Sequence, residues 1–201
     1  MATDIDICAQ SLLRLAETPI SSFTQDDSDA ATICANLYPS FKRTILTLYK
    51  WRITMRKRQL SRLSETPLNE WNYAYQLPSD MMSLKAVMTS LNVNSPETTD
   101  YEVFGRELHT NEEVIVVEYQ IEVDEDQWPP YIEELAKLAF TALIAPAVTD
   151  QVSSAEKWEI KAFGTPAERG QGGYFATAKA IDAQGVPAQV IDNYTLVEVR
   201  N

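Results

Sequence analysis

Apolar residues recur along this chain with two periods, and the places where the period changes divide it into three. Ile5, Cys8, Leu12, Leu13 and Leu15 fall at near-helical spacing and predict a helix over residues 4–16, ended by Pro19. Ile20 and Phe23 stand among polar neighbours in the loop that follows and are expected to pin it to the core. Ser28 or Asp29 can cap a second helix by accepting a hydrogen bond from an amide of its first turn. Its stripe is Ala31, Cys34, Leu37, Tyr38, Phe41, Ile45 and Leu48. Pro39 lies inside that stripe and lacks an amide hydrogen, so a kink or a break is expected there.

From Trp51 the period falls toward two. Trp51, Ile53 and Met55 alternate with Arg52, Thr54 and Arg56, which predicts a strand with one wet face. Trp71, Tyr73, Tyr75 and Leu77 alternate until Pro78 stops them, and Met82, Leu84, Ala86 and Met88 alternate again. Residues 90–100 read as a loop. Residues 101–123 hold two or three strands, with Gly105 and Thr110-Asn111-Glu112 as turns. Val114 to Ile121 is strongly β-branched and is expected to be the best-buried strand.

The helical period returns at Trp128-Pro129-Pro130, since proline suits a helix's first turn. Ile132, Leu135, Ala136, Leu138, Ala139, Ala142 and Leu143 follow, with many small residues that permit close helix packing, and Pro146 ends or bends the run. Ser153 and Glu156 have the spacing of a capping box for a further helix carrying Trp158, Ile160, Ala162 and Phe163. Gly170-Gln171-Gly172-Gly173 lacks the Lys-Ser/Thr of a phosphate loop and reads as a place where another backbone approaches closely. Residues 176–183 look helical again. The last stretch carries Val190, Ile191, Tyr194, Leu196, Val197 and Val199, too many apolar groups for an idle tail. It is expected to pair as a strand within its own subunit or to dock on another. The organisation predicted is α+β and mainly α. Residues 1–50 and 128–183 read as helical, 51–127 as strands joined by turns, and 184–201 as an extended tail.

Length and charge narrow the function. The 201 residues suit one domain, or one domain carrying an insertion. No apolar run approaches the roughly 20 residues of a membrane helix, and the first ten residues are acidic where a signal peptide is basic, so a soluble, non-secreted chain is expected. A net charge of −12 argues against wrapping DNA on the outer surface, though not against DNA passing close by. Lys50, Arg52, Arg56, Lys57, Arg58 and Arg62 form a local basic run. It reads as a solvated strand face or partner of the acidic strands, or else as a contact to an acidic neighbouring subunit or passing DNA.

Candidate chemistry is sparse. Cys8 and Cys34 fall on apolar helix faces and read as buried thiols rather than a disulfide. Two cysteines and one histidine do not make an ordinary zinc site, and no metal or other cofactor is assigned. His109 reads as a surface turn residue. Glu112 and Glu113 point to opposite faces if they lie in a strand, and Asp124/Asp126 lack a calcium loop's central glycine. No nucleophile elbow, zinc helix, phosphate loop or dinucleotide fingerprint occurs, so no enzyme is expected.

A succession of residues resembles one family across most of the chain. It runs Leu12-Leu13, Pro19-Ile20-x-x-Phe23, Asp29-Ala30-Ala31-x-x-Cys34, Tyr38, Leu46, Trp51, Arg58, Leu60, Pro67, Trp71, Tyr75 and Leu77-Pro78-x-Asp80. Pro130-Tyr131 and Ala178-x-Ala180-x-Asp182-x-Gln184 with Pro187 continue it. The order is similar to that of the tail tubular protein A family, the gatekeeper or adaptor subunits of short-tailed phages. Ala16 departs from it where a glycine is expected, and Ile53-Thr54 where an aromatic-Ala pair is usual.

The resemblance implies a helical bundle from both chain ends with a β-rich insertion. It also implies a structural virion protein without catalysis, made in the host cytoplasm and placed at the head–tail interface. Such subunits form a ring, commonly of twelve, bound to the portal protein on one side and the tail nozzle or next tail protein on the other, around the channel the genome transits. Within that picture, Val190, Ile191, Tyr194, Leu196, Val197 and Val199 are assigned to portal binding. Arg52, Arg56, Lys57, Arg58 and Arg62 are assigned to a subunit interface, meeting the acidic residues 97–126 of the next copy, or to the channel. Two other readings stay open: a long-tailed-phage connector bound to a stopper ring, and an acidic regulatory or DNA-mimic protein.

Overall fold

The computed structural model describes residues 2–24, 28–92, 97–149 and 152–185. Helix α1 (Asp4–Arg14) starts in a capping box, Thr3 and Asp6 each bonding the other's backbone amide. It stops before Pro19 is reached. The Glu17 amide donates to Leu12 O at 3.0 Å and the Ala16 amide to Leu13 O at 3.1 Å, which satisfies the last carbonyls. That closure places Ala16 at φ 62°, in the left-handed region. Helix α2 (Asp29–Thr47) is capped by Ser28 and runs through Pro39 unbroken. Cys8 and Cys34 are both buried and free. The neighbouring Cys34 thiol, and then burial, push the Cys8 thiol above its usual range.

The strand expected from Trp51 is not there. Trp51 is fully buried, its indole donating to Ile45 O at 3.0 Å and its ring packing on Tyr49, Tyr131 and Phe175. The anchored residue forces a 3-10 turn at Arg52–Thr54, and β1 (Met55–Gln59) begins only after it. The other strands are β2 (Tyr73–Gln76), β3 (Met81–Met88), β4 (Tyr101–Phe104), β5 (Glu107–Thr110) and β6 (Val116–Ile121). They make two three-stranded antiparallel sheets, ordered β1-β6-β3 and β2-β5-β4. Gly105 supplies the β4–β5 turn at φ 60°. Residues 60–63 lead from one sheet to the other: the Leu60 amide donates to Ile115 O, the Leu63 amide to Ala74 O. Leu60, Tyr75, Leu77, Leu108, Val117 and Tyr119 fill the space between the sheets.

Three helices complete the described residues: α3 (Pro130–Thr149), α4 (Val152–Phe163) and α5 (Gly173–Ala183). Helix α3 continues through Pro146. At the α4–α5 turn, Gly164 and Gly173 both have positive φ. A Cβ on Gly173 would fall 2.6 Å from Gly164 N and 2.8 Å from Lys161 O. The close backbone approach expected of the glycine-rich segment is therefore made on the C-terminal end of α4.

The expected architecture, a helical bundle carrying a small inserted β domain, is corrected. The described residues form a mixed fold of five helices and two sheets whose two cores, one among the helices and one between the sheets, meet at β6. Strand β6 explains why. Val117 and Tyr119 face the second sheet, while Val116 and Gln120 on the other face are also buried. The Gln120 amide donates to Leu46 O at 3.0 Å, Tyr49 O at 2.7 Å and Thr54 Oγ1 at 2.8 Å, tying the strand to the end of α2. Ile121 packs against both cores. A strand buried on both faces cannot belong to an appendage.

Candidate interaction surfaces

The basic run does not form one patch. Arg56, Lys57 and Arg58 sit on β1, an edge strand exposed along most of its length, with Arg52 before it and Arg62 after it. Arg56 lies opposite Tyr119 and Arg58 opposite Val117, so both share the face on which β6 carries the inter-sheet core. At this edge nothing among the described residues covers them. Charged residues on the core-side face of an edge strand discourage indiscriminate strand pairing. Lys57, on the other face, meets Glu118 across the ladder at 3.7 Å.

The arginines are held by groups other than carboxylates. Arg56 Nη1 donates to Ile53 O at 3.0 Å and Met55 O at 2.9 Å. The Arg62 guanidinium lies 4.9 Å from the Tyr73 ring centroid. Arg58 lines a cavity of about 400 Å³ with Arg106, which donates to Pro78 O at 2.6 Å. Arg106 was absent from the sequence-derived set, because it is far along the chain and only strand pairing brings it near. Among the described residues, none of Arg52, Arg56, Arg58 or Arg62 has a carboxylate within 4.0 Å of its side chain.

The acidic stretch 97–126 is partly neutralised within the chain. Lys42 is buried, with Glu125 at 3.0 Å, Asp124 at 3.5 Å and Glu122 at 3.7 Å. Burial pushes its ammonium pKa down, but the Glu125 hydrogen bond and the three carboxylate charges outweigh that and leave it raised. Arg43 pairs with Glu122 at 3.2 Å. Asp100, Glu113 and Asp126 carry no cationic partner among the described residues.

His109 corrects a second expectation. It lies within β5 and is buried, not a surface turn residue. Asn69 Nδ2 donates to its Nδ1 at 2.9 Å, which puts the ring proton on Nε2, 3.2 Å from Glu107 Oε2. The Phe104 ring packs against it. Both ring nitrogens are engaged, so the residue fastens a loop to a strand.

Asp182 was part of the family-like pattern but carried no assigned role. It is buried on α5, where it accepts from Tyr131 Oη at 2.7 Å and from the Arg52 amide at 3.3 and 3.4 Å. One carboxylate thereby joins α5, the start of α3 and the turn before β1. Burial first, then the Asp182 hydrogen bond, push the Tyr131 phenol above its usual range.

Helices α2 and α4 both pack on α3 and leave a groove of about 570 Å³. Phe41, Ile45 and Leu48 form one wall, Phe163 the other, and Leu143 and Pro146 the floor. Leu48 is 47% exposed and Leu143 46%, although both belong to helical stripes that predict burial. The rim hydroxyls of Ser40 and Thr44 turn back to Leu37 O and Ser40 O, while Glu159 on α4 adds a carboxylate to the otherwise mostly apolar lining. Val190, Ile191, Tyr194, Leu196, Val197 and Val199 lie outside the described residues. No protein-family model matches this chain, and no curated protein matches it.

Proposed function

We propose that this chain is a ring-forming adaptor subunit joining a phage portal to the tail below it, as its resemblance to the tail tubular protein A family implies. The observation that supports this reading is the open, basic β1 edge on a chain whose net charge is −12. Arginines without carboxylate partners beside an unpaired strand edge suit an acidic neighbour. Asp100, Glu113 and Asp126 of a second copy are available to answer them. A contact between unlike surfaces is heterologous, and repeated heterologous contacts close into rings. The apolar residues between Val190 and Val199 supply the portal contact, and the genome passes through the ring as cargo.

Native mass spectrometry of the chain alone and mixed with its portal tests the proposal. The expected result is a ring that forms on the portal and dissociates as salt rises, because exposed charge pairs are screened beyond about 8 Å at physiological ionic strength. The double reversal Arg56→Glu/Arg58→Glu is expected to leave the fold intact and abolish the ring, since both side chains are exposed. A small oligomer indifferent to the portal would sink the adaptor reading in favour of the regulatory one.

A further inference from the structure

The cavity that Arg58 shares with Arg106 is rich in hydrogen-bond donors and holds no carboxylate among its lining residues. Three stretches of chain build it: residues 58–61 from the end of β1 onward, residues 76–79 from the end of β2 onward, and Arg106 in the β4–β5 turn. Leu60, Leu77 and Pro78 are its buried members, and the polar lining residues are exposed. The acidic residues next in sequence to Ser79 and Arg106 do not line it. Asp80 lines a different cavity with Arg43, and Glu107 Oε2 lies 3.2 Å from His109 Nε2.

Arg106 is held in place by its own chain. Its carbonyl accepts from the Leu77 amide at 2.9 Å and from Gln76 Nε2 at 3.0 Å, and its Nη2 donates to Pro78 O at 2.6 Å. That bond uses one of the guanidinium's N–H donors and leaves the others. Among the described residues, the side chains of Arg58, Ser61 and Ser79 make no hydrogen bond. Two guanidinium charges at one cavity repel each other, and an anion between them attracts both. A carboxylate is planar, and a single guanidinium can satisfy both its oxygens. Two guanidiniums and two hydroxyls from three stretches suit a group with more acceptors. A phosphate ester carries about −1.5 to −2 charges and three strong acceptor oxygens. The volume of about 400 Å³ is that of a small-molecule site, for which about 300–1,000 Å³ is usual. A net charge of −12 repels a long polyanion.

We infer that Arg58, Arg106, Ser61 and Ser79 form a binding site for a phosphate group, carried as free phosphate or as a small phosphate ester. The two guanidiniums hold its charge, the serine hydroxyls donate to its remaining oxygens, and the body of an ester lies against Leu60 and Leu77. This goes beyond the adaptor reading and does not rest on it. One chain supplies every residue, and Arg106 takes no part in the β1 contact proposed above.

The test is an amide NMR titration of the full chain at neutral pH with sodium phosphate, set against sodium chloride and sodium acetate at matched ionic strength. The Ser61, Ser79 and Arg106 amides are expected to shift saturably with phosphate and not with chloride. Arg106→Gln is expected to weaken phosphate binding about 10–100-fold, as the loss of a charged hydrogen-bond partner does. Ser79→Ala keeps both charges and is expected to weaken it about 2–10-fold. Arg169→Gln removes an exposed arginine after the 3-10 turn Pro166–Glu168 and is expected to leave binding unchanged. Phenyl phosphate separates the two sources: tighter binding than phosphate makes the ligand an ester, and equal or weaker binding makes it the free ion. Equal shifts with chloride or acetate would overturn the phosphate assignment. So would Arg106→Gln and Ser79→Ala titrating like the unaltered chain, or Arg169→Gln losing as much as Arg106→Gln. A short DNA strand that binds more tightly than phenyl phosphate would overturn the small-ligand assignment and make the occupant nucleic acid. No portal is present, so failure here leaves the adaptor reading to its own mass measurement.

Discussion

Replacing Ala16 by glycine should stabilise the protein, and the size of the gain follows from one turn of backbone. Ala16 sits at φ 62° because the end of α1 needs a left-handed residue there to bring the Glu17 amide onto Leu12 O. An L-residue with a Cβ pays about 1–2 kcal/mol for that conformation, whereas glycine does not. Glycine also gives the unfolded chain more freedom, which offsets about 0.4–1 kcal/mol of the gain. Ala16 is exposed, so the lost methyl forfeits little packing. The net expectation for Ala16→Gly is about 0.5–1 kcal/mol of added stability, or roughly 1–4 °C in Tm for a chain of this size. Urea unfolding followed by circular dichroism reads it directly, because the midpoint should rise at unchanged slope. Ala16→Val is the opposing control: a β-branched residue is an outlier at positive φ, and a loss of about 1 kcal/mol is expected. If glycine proves neutral or destabilising while valine is tolerated, the left-handed closure of α1 is not what limits this position.

Other outcomes follow from the buried polar contacts and the tight turn. Lys42→Met leaves Glu125 buried without its ion-pair partner and should cost about 3 kcal/mol, measured by urea unfolding. Because the folded pKa of Lys42 is raised, its contribution is complete below the unfolded value of about 10.4 and is lost as pH rises through the folded value. The urea midpoint should therefore fall on the alkaline side, and Lys42→Met should flatten that fall. Gly173→Ala puts a Cβ against the backbone of Gly164 and Lys161 at positive φ and should cost about 2–4 kcal/mol by thermal unfolding. Asp182→Ala removes the acceptor for Tyr131 and for the Arg52 amide, with an expected loss of about 1.5–3 kcal/mol. Ultraviolet titration of the same variant should show Tyr131 ionising closer to its ordinary value.

The local periods were enough to place the elements whose bonding is local. Helix α1, the Ser28 cap of α2, the restart of helix at Pro130 and the turn at Gly105 all follow from neighbours within four residues, although Leu13 of the α1 stripe is exposed and Ser11 is buried instead. The glycine-rich segment was legible as a close approach because no other residue type fits such a position, although the backbone it approaches was not. Tertiary structure decided what depends on residues far apart. Trp51 alternates with its neighbours like a strand residue, but the pocket made by Ile45, Tyr131 and Phe175 claims its ring and bends the chain. The hairpin-like stretch 101–123 sends β5 and β6 to different sheets, because residues 60–63 bond to Ile115 on one side and Ala74 on the other.

The candidate surfaces divide the same way. The basic run, the charge imbalance and the apolar stripes are properties of residue type and spacing, and are legible without any contact. Strand register alone decided that Arg56 and Arg58 share the face of an uncovered edge, that Lys57 meets Glu118, and that Arg106 joins Arg58. Helix packing alone decided that Leu48 and Leu143, inward by periodicity, border an open groove. Periodicity says which side of an element is apolar. Whether another element covers that side depends on contacts between residues a hundred positions apart, and no local pattern encodes them.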